Sequence, residues 1–347
     1  MATLWFFLVA FMVTMYVILD GFDLGAGAVH LYVARNDAER QTVMRSIGPV
    51  WDGNEVWLLA GGGSLFMAFP LLYASSFSGF YLPLMIVLWL LILRAVSLEL
   101  RNHLEGPVWK PFWDVVFSGA SLLLAVFYGA ALGNVVRGVP LDAGGYFFSP
   151  LWTSFGIGGE RVGILDWYTV IVGITALLAL VVHGSLWVAA KTEGAVHDRS
   201  RRIVRALWIP LGILVVLLTV VTFNVQPHVL DRMSSNPWAF LFPALAVVGL
   251  LGMPVLLKRS GAMKAFYSSC AFLAGMMLSA AIGLYPNVLP AISDPANSLT
   301  IHNAAADAYA LRVALFWWIP GMILAAGYTI FSYRSFTGKV RLEPGGY

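Results

Sequence analysis

Charged side chains are scarce in this sequence. Asp, Glu, Lys and Arg make up 11% of its 347 residues, whereas a soluble domain carries about 25%. Hydrophobic residues make up 59%, and the mean hydropathy is +0.80. These figures exclude a soluble domain, a disordered chain, a collagen and a coiled coil. They indicate an all-α polytopic membrane protein whose surroundings are a lipid bilayer, and no nucleic-acid partner is expected.

Cysteine and the common catalytic motifs are also missing. The single cysteine, Cys270, lies in an apolar run, which excludes an intramolecular disulfide, a Cys-ligated zinc and an iron–sulfur cluster. The sequence has no phosphate-cradling loop, nucleophile triad or H-E-x-x-H motif. No basic segment precedes the apolar residues 4–19 and no small-residue cleavage site follows them, so we interpret them as part of a permanent span.

Histidines that could hold a haem are few. Of six histidines, only His183 lies well within an apolar stretch, and His197 follows 14 residues later, beyond Lys191 and Glu193. Two axial histidines must face each other inside a helix bundle. A bis-histidine haem site formed by this chain alone is therefore disfavoured, and we interpret His183 as a hydrogen-bonded core residue.

Nine stretches are long and apolar enough to span a bilayer, which takes about 20 residues. The second is the shortest, and Gly61, Gly62 and Gly63 interrupt it, a pattern typical of close helix contact. The predicted spans are residues 4–25, 56–72, 77–98, 115–132, 167–190, 203–223, 238–257, 266–285 and 313–331.

Basic residues are distributed unevenly around these spans. Seventeen of the 21 Lys and Arg residues, Arg341 among them, fall on the side reached after the odd-numbered spans. Only Arg137, Arg161, Arg232 and Arg312 fall on the other. By the positive-inside rule this predicts a periplasmic N-terminus and a cytoplasmic C-terminus.

The connections and the inner loops suggest a further organisation. Residues 133–166 and 286–310 are rich in Gly, Pro and Asn and are expected to form ordered extracytoplasmic loops or interfacial segments. A short similarity between the first and third inner loops suggests two four-helix units, 1–135 and 165–285, with 313–331 as a peripheral ninth helix. Chance explains so short a match equally well.

Acidic residues at membrane depth are the candidate functional groups, because a carboxylate there is normally paired, protonated or functional. Asp20 and Asp23, spaced i, i+3, face one side of the first span near its inner end. Asp52 opens the second span, and Glu99 and His103 end the third, one helical turn apart. The predicted orientation brings these acids together on the inner side, where they could pass on protons.

Structural interpretations of the same residues remain open. Asp52 could cap the second span, with Asn54 and Glu55 satisfying backbone donors. Glu99 could be an interfacial acid paired with Arg94 or Arg101.

Specific segments resemble subunit II of cytochrome bd quinol oxidase. The densest are MYVILDGFDLG (residues 15–25) and WDGNEVWL (residues 51–58), which contains Trp51, Asn54 and Trp57. Glu99, where some members have Asp, is similar to the cyanide-insensitive branch. The other matching segments are residues 35–37, 46–49, 77–81, 94–101, 133–134, 138–140, 283–286 and 298–300.

The resemblance implies a function and a partner. Enzymes of this family lie in the bacterial cytoplasmic membrane, oxidise quinol and reduce O₂ to water, and build a proton gradient without pumping. The haems b and d belong to subunit I, and subunit II is the non-haem partner. In some members subunit II holds a structural quinone, and a small single-helix accessory subunit is a further possible partner.

The resemblance also implies roles for residues. A proton route from the cytoplasm crosses subunit II through acids that match Asp52 and Glu99, and Asp23 could extend it. His103 stands where the family has a basic residue one turn after the acid, which is a departure. The residues expected to be structural or signature residues are Asp20, Trp51, Asn54, Trp57, Arg94 and Arg101.

Two other functions remain open at this point. Buried acids and glycine-interrupted helices also occur in proton-coupled secondary transporters. The chain could also be a purely structural subunit whose acids carry no protons.

Overall fold

The computed structural model describes residues 1–157 and 162–340 and is almost entirely helical. Arg161 and Arg341 of the charge count lie outside the described residues. Apolar side chains surround most of the long helices, and each helix satisfies its own backbone, as a bilayer requires. The helices are α1 (Ala2–Val33), α2 (Asp37–Ile47), α3 (Trp51–Ala68), α4 (Pro70–Gly79), α5 (Tyr81–Leu100), α6 (Trp109–Arg137), α7 (Trp167–Lys191), α8 (Gly194–Val225), α9 (Pro227–Ser235), α10 (Leu241–Arg259), α11 (Ala262–Leu284) and α12 (Ala308–Ser335).

Eight helices in the described part of the chain are long and apolar enough to cross a membrane. A ninth candidate is the pair α3–α4, if its two parts are counted as one span. These nine elements coincide in position with the nine predicted stretches, and the all-α membrane class is confirmed.

The predicted second span is broken. α3 ends at Ala68, Phe69 is non-helical (φ −134°, ψ 66°), and Pro70 begins α4 at an angle of 117° to α3. Proline lacks an N–H and disfavours a helical residue before it, so the helix cannot continue through this point. The break is thus set by Pro70 and not by the glycines at 61–63, where we expected the interruption.

Those glycines are also not all helix contacts. A Cβ on Gly61 would lie 3.7 Å from Val13 Cγ2 of α1, but a Cβ on Gly62 or Gly63 would meet nothing within 4 Å. The predicted close contact therefore holds within this chain for Gly61 alone.

Helix α1 is longer than predicted and lies at the centre of the fold. It ends at Val33 and not at residue 25, so Asp20 and Asp23 lie inside the helix and not at its end. Its small residues let the backbone of α7 approach: a Cβ on Gly25 would lie 1.9 Å from the Leu180 carbonyl oxygen. No larger side chain fits there.

The two long connections fold against each other. Strands β1 (Asn287–Leu289) and β2 (Leu299–Thr300) pair antiparallel. Val139 of the other connection accepts a hydrogen bond from Ile292 N and donates one to Pro290 O, each at 3.0 Å. Backbone hydrogen bonds therefore join the described parts of the two loops.

Candidate functional site

Asp20 and Arg94 form a buried ion pair between α1 and α5. Both side chains have no solvent exposure. Arg94 Nη1 donates to Asp20 Oδ2 at 2.8 Å, and Nη2 donates to Oδ1 at 2.5 Å. This two-bond geometry is the strong form of the arginine–carboxylate interaction, and it fixes the two helices relative to each other.

Asp23 lies one turn further along α1 and contacts α3. Its Oδ2 accepts a hydrogen bond of 2.7 Å from Asn54 Nδ2, which also donates to Leu19 O at 3.2 Å. Tyr333 Oη of α12 donates to Asn54 Oδ1 at 2.9 Å. Asp23 Oδ1 is buried and has no hydrogen-bond partner among the described residues.

Glu55 completes what we call the carboxylate cluster: Asp20, Asp23, Asn54, Glu55 and Arg94. Glu55 Oε1 lies 3.3 Å from Arg94 Nη2. Two of the three carboxyl groups, those of Asp20 and Glu55, contact the Arg94 guanidinium, and Asp23 contacts Asn54 instead. With three carboxyl groups and one guanidinium, the cluster carries a net negative charge unless it also binds protons. The i, i+3 spacing correctly predicted that Asp20 and Asp23 face the same side of α1.

The other predicted proton-pathway residues lie on the surface of the chain. Asp52, Glu99 and His103 are all exposed. His103 Nδ1 lies 2.9 Å from the carbonyl oxygen of Glu99, one turn earlier, so the imidazole contacts the backbone and not the carboxylate. The structure therefore separates the predicted residues into a buried group and an exposed group.

Two structural roles expected of the exposed acids are not found: Asp52 does not cap α3, and Glu99 does not pair with Arg94 or Arg101. Val50 is the residue before α3, and Asp52 lies inside the first turn without capping it. Arg94 pairs with Asp20 and Glu55, and Arg101 pairs with Asp37 and Asp114. No ion pair of the described residues includes Asp52 or Glu99.

A second cluster, around Asp114 of α6, was missed by the sequence analysis. Asp114 is fully buried and accepts hydrogen bonds from His30 Nε2 (2.8 Å), Arg40 Nη1 (3.0 Å) and Arg101 Nε (2.6 Å). Arg101 Nη2 also donates to Asp37 Oδ1 at 2.6 Å. Asp114 therefore joins α1, α2 and α6 to the residue that follows α5.

The acids of the amphipathic helix α2 are held ionised. Burial alone would raise the pKa of Asp37, but the hydrogen bond and positive charge of Arg101, with Lys110, lower it. Burial likewise opposes ionisation of Glu39, but the backbone N–H of Arg35 and the Arg199 guanidinium lower its pKa. Both carboxylates thus fasten α2 to neighbouring elements near neutral pH.

The predicted signature tryptophans lie at the start of α3. Trp57 is buried and contacts Phe11 of α1 edge-on, with ring centroids 6.1 Å apart. Trp51 is the first residue of α3 and is partly buried. Neither indole belongs to the carboxylate cluster. Between the two tryptophans in the sequence, Asn54 contacts the cluster by its hydrogen bond to Asp23.

The prediction for His183 is confirmed. Its Nε2 donates to Ile18 O at 2.9 Å, its Nδ1 lies 2.7 Å from Ser269 Oγ, and its ring stacks on Phe266. Both ring nitrogens are thus engaged. Within residues 1–157 and 162–340, no group of three or more His, Cys, Asp or Glu side chains could hold a metal ion.

An apolar cavity of about 470 Å³ lies between the helices, and no member of the carboxylate cluster is among its lining residues. Residues of α1, α3, α6, α7 and α11 line it, and Tyr16 and Tyr128 are among its few polar groups. The hydroxyl of Tyr16 donates to that of Tyr128 at 2.9 Å, so both are satisfied within the protein. The cavity suits an apolar occupant.

Known proteins resemble this chain over nearly its full length. "Cytochrome bd ubiquinol oxidase subunit 2" of Bacillus subtilis is 30% identical, covering 97% of this chain and 96% of that protein. "Cytochrome bd-I ubiquinol oxidase subunit 2" of Escherichia coli K12 is 28% identical, covering 98% and 95%. A chain of the bd oxidase structure from Geobacillus thermodenitrificans shares the fold (TM-score 0.73, 18% identity, 96% of this chain and 98% of that chain).

The family model for cytochrome bd terminal oxidase subunit II matches residues 1–336. This match includes the carboxylate cluster, the Asp114 cluster and the exposed acids of α3 and α5. The chain therefore belongs to the cytochrome bd terminal oxidase subunit II family.

Proposed function

We propose that this chain is the non-haem subunit of a quinol:O₂ oxidoreductase, that it scaffolds the haem-bearing subunit I, and that it conducts protons inward from the cytoplasm through Glu99 and Asp52. The curated relatives named above are ubiquinol oxidase subunits. In this proposal subunit I carries haems b and d and performs the redox chemistry. The complex generates a proton gradient without pumping.

The exposure of Asp52 and Glu99 is the observation that carries the proposal. Asp52 is the second residue of α3 and Glu99 is the second-last residue of α5, so both lie at the ends of apolar helices, and neither has an ion-pair partner among the described residues. An unpaired carboxylate that faces lipid has a high free energy, whereas the Asp20 carboxylate is stabilised by its ion pair with Arg94. We infer that Asp52 and Glu99 face water or the partner subunit, where they can exchange protons.

The scaffolding role is supported by one side of α3. Its exposed residues Asp52, Val56, Leu59, Gly63 and Phe66 recur at helical spacing and form a single stripe, which we call the open face of α3. The stripe is apolar apart from Asp52, and Gly63 leaves room for another helix to approach closely. We propose that subunit I packs on this face.

The roles of the remaining cluster residues follow from their partners. Asp20, paired with Arg94, fixes α1 to α5. Asp23 has one carboxylate oxygen without a partner among the described residues, and in this proposal that oxygen holds a proton delivered from the exposed acids. His103 accepts protons at the surface one turn after Glu99.

The arrangement in the membrane is part of the proposal. We propose nine spans with the N-terminus periplasmic and the C-terminus cytoplasmic, in the bacterial cytoplasmic membrane. The four-helix units are residues 1–135 and 165–285, and 313–331 forms the peripheral ninth helix. The apolar cavity fits the isoprenoid tail of a structural quinone, and a single-helix accessory subunit is a further proposed partner.

Replacement of Asp52 tests the proton role. Asp52→Asn keeps the size of the side chain but removes its titratable carboxyl group. O₂ consumption by the complex should fall about ten-fold or more, since a positioned proton-transferring group accelerates a reaction by at least this much. Glu99→Gln should do the same. Asp52→Glu, which retains a carboxyl group, should recover most of the rate. The measurement is quinol-driven O₂ consumption in membranes, normalised to haem absorption.

Asp198→Asn is the matched control, because Asp198 is also exposed but lies on α8, away from the proposed path. It should leave the rate unchanged. If Asp52→Asn loses haem absorption in proportion to activity, Asp52 is structural. If the rate per haem is unchanged, the proton route through Asp52 is wrong.

A further inference from the structure

A basic pocket lies between α8 and α10, away from the carboxylate cluster. Its volume is about 490 Å³. It lies where the polar first turns of α8 meet the end of α10. The residues that line it are Arg201, Val204, Arg205, Trp208, Pro254, Leu257 and Lys258.

The walls of the pocket are fixed by hydrogen bonds that compensate for Pro254. Proline has no N–H, so the carbonyl of Leu250, four residues earlier, loses its helical partner. Trp208 Nε1 of α8 donates to that carbonyl oxygen at 2.7 Å. Near the end of α10, where carbonyls lack helical partners, Arg201 Nη2 donates to Leu257 O at 3.0 Å. These two hydrogen bonds thus hold α8 and α10 in fixed positions around the pocket.

The pocket is strongly positive. Arg201, Arg205 and Lys258 contribute three cationic groups, and no carboxylate is among the lining residues. Arginine binds an anion that has several oxygens through charge-assisted hydrogen bonds, which are stronger than hydrogen bonds between neutral groups.

Apolar surface continues from the pocket along both helices. Ile209 and Ile213 of α8 and Leu251 and Val255 of α10, each within about two turns of the pocket, are exposed. An occupant that combines an anionic head with apolar chains therefore matches the site better than a free ion. Basic pockets between membrane helices bind anionic lipid head groups.

We propose that this pocket binds the phosphate headgroup of an anionic phospholipid, whose acyl chains lie along α8 and α10. This role goes beyond the proposed oxidase function and does not depend on it. Arg205 and Lys258 attract the phosphate, Arg201 donates to its oxygens, and the Trp208 ring forms the floor near the headgroup.

Lipid retention tests the proposal on the intact complex. The Arg205→Gln/Lys258→Gln double variant removes two charges and spares the Arg201 hydrogen bond to α10. Each basic residue near an anionic surface contributes about five-fold in affinity, so phosphatidylglycerol binding should weaken about 25-fold. Native mass spectrometry of the detergent-extracted complex should show one retained phosphatidylglycerol fewer than in the wild type. Phosphatidylcholine binding should not change.

Arg202→Gln/Arg259→Gln is the matched control. It removes the same charge from the same two helices, at exposed positions outside the pocket lining. Normal haem absorption verifies folding of both variants. The proposal is overturned if both double variants lose lipid equally. It is also overturned if excess inorganic phosphate displaces the bound lipid as effectively as added phosphatidylglycerol does. A wild-type complex that retains no phosphatidylglycerol would overturn it too, and this is the result expected if subunit I covers the pocket.

Discussion

Asp20 and Asp52 are aspartates on neighbouring helices with opposite surroundings. Asp20 is fully buried and holds Arg94 through two hydrogen bonds, whereas Asp52 is exposed on the open face of α3. Removing one partner of a buried pair leaves the other charge uncompensated in a medium that solvates it poorly. Removing an exposed carboxylate leaves no such charge behind. The same chemical change at the two positions should therefore have different consequences.

We expect Asp20→Asn to destabilise the complex by about 3 kcal/mol, because it leaves the Arg94 guanidinium without its main partner. Thermal denaturation of the purified complex would show this as a lower midpoint and a lower yield of assembled protein. Asp52→Asn should keep the wild-type midpoint while it slows turnover. Equal midpoints for the two variants would contradict the structural role assigned to Asp20.

Residue spacing predicted which side chains share a face but not which partners they meet. The i, i+3 spacing of Asp20 and Asp23 predicted their common orientation. Arg94 lies 74 residues from Asp20 along the chain, and their contact depends on the rotation and depth of two helices. Asp114 was missed because the apolar run was taken to begin at Val115. The sequence did contain a signal for it: Asp114 directly precedes a predicted span and lies close in sequence to Arg101 and Lys110, which favours a buried ion pair.

At the scale of elements, apolar runs predicted the positions of the helices well and their ends poorly. The run at 4–25 stops where glycines and a histidine lower the hydropathy, but α1 continues to Val33 because its small residues pack against α7. The break at Pro70 was visible as a proline, yet its 117° bend depends on tertiary packing. Hydropathy measures solvation by lipid, which is only one of the forces that set a helix end.

Helix α2 is held at its acidic first turn, which makes its attachment sensitive to acid. Glu39 pairs with Arg199 of α8 at 2.5 Å, and its pKa is lowered in the folded state. A lowered pKa gives stability that is complete above the usual glutamate value of about 4.3 and is lost as pH falls through the lowered value. Hydrogen–deuterium exchange of α2, corrected for intrinsic rates, should thus rise only below about pH 4.

Glu39→Gln should raise exchange in α2 already at neutral pH and flatten its pH dependence. Glu193→Gln is the control, because Glu193 is 76% exposed and pairs only with Lys339 in the described residues. It should leave α2 unaffected. Unchanged protection of α2 in Glu39→Gln would mean that apolar packing alone holds this helix.

At the scale of the whole molecule, charge and exposure indicate that one side of the chain is the contact surface for a partner. Most membrane-depth polar groups are buried and partnered around α1, which contacts α3, α6, α7 and α11. The open face of α3 and the exposed end of α5 with Glu99 are the exception. Composition predicted a membrane protein and the resemblance predicted a partner, but only the structure identifies a continuous exposed stripe. Such a stripe depends on which faces of the helices the other helices leave uncovered.

Gly63 gives the sharpest test of that side. It is exposed at the middle of the open face, and a Cβ added there would meet nothing within this chain, so Gly63→Leu should not disturb the fold of the subunit. If a helix of subunit I packs closely at this point, the leucine overpacks the interface, which costs about 1–3 kcal/mol. Co-purification with the haem-bearing subunit should then fall, measured as haem absorption per tagged chain. Gly119→Leu on α6, where the glycine is also exposed and a Cβ would also meet nothing within 4 Å, should co-purify normally. Equal recovery of haem with both variants would mean that the open face of α3 meets lipid and that subunit I binds elsewhere.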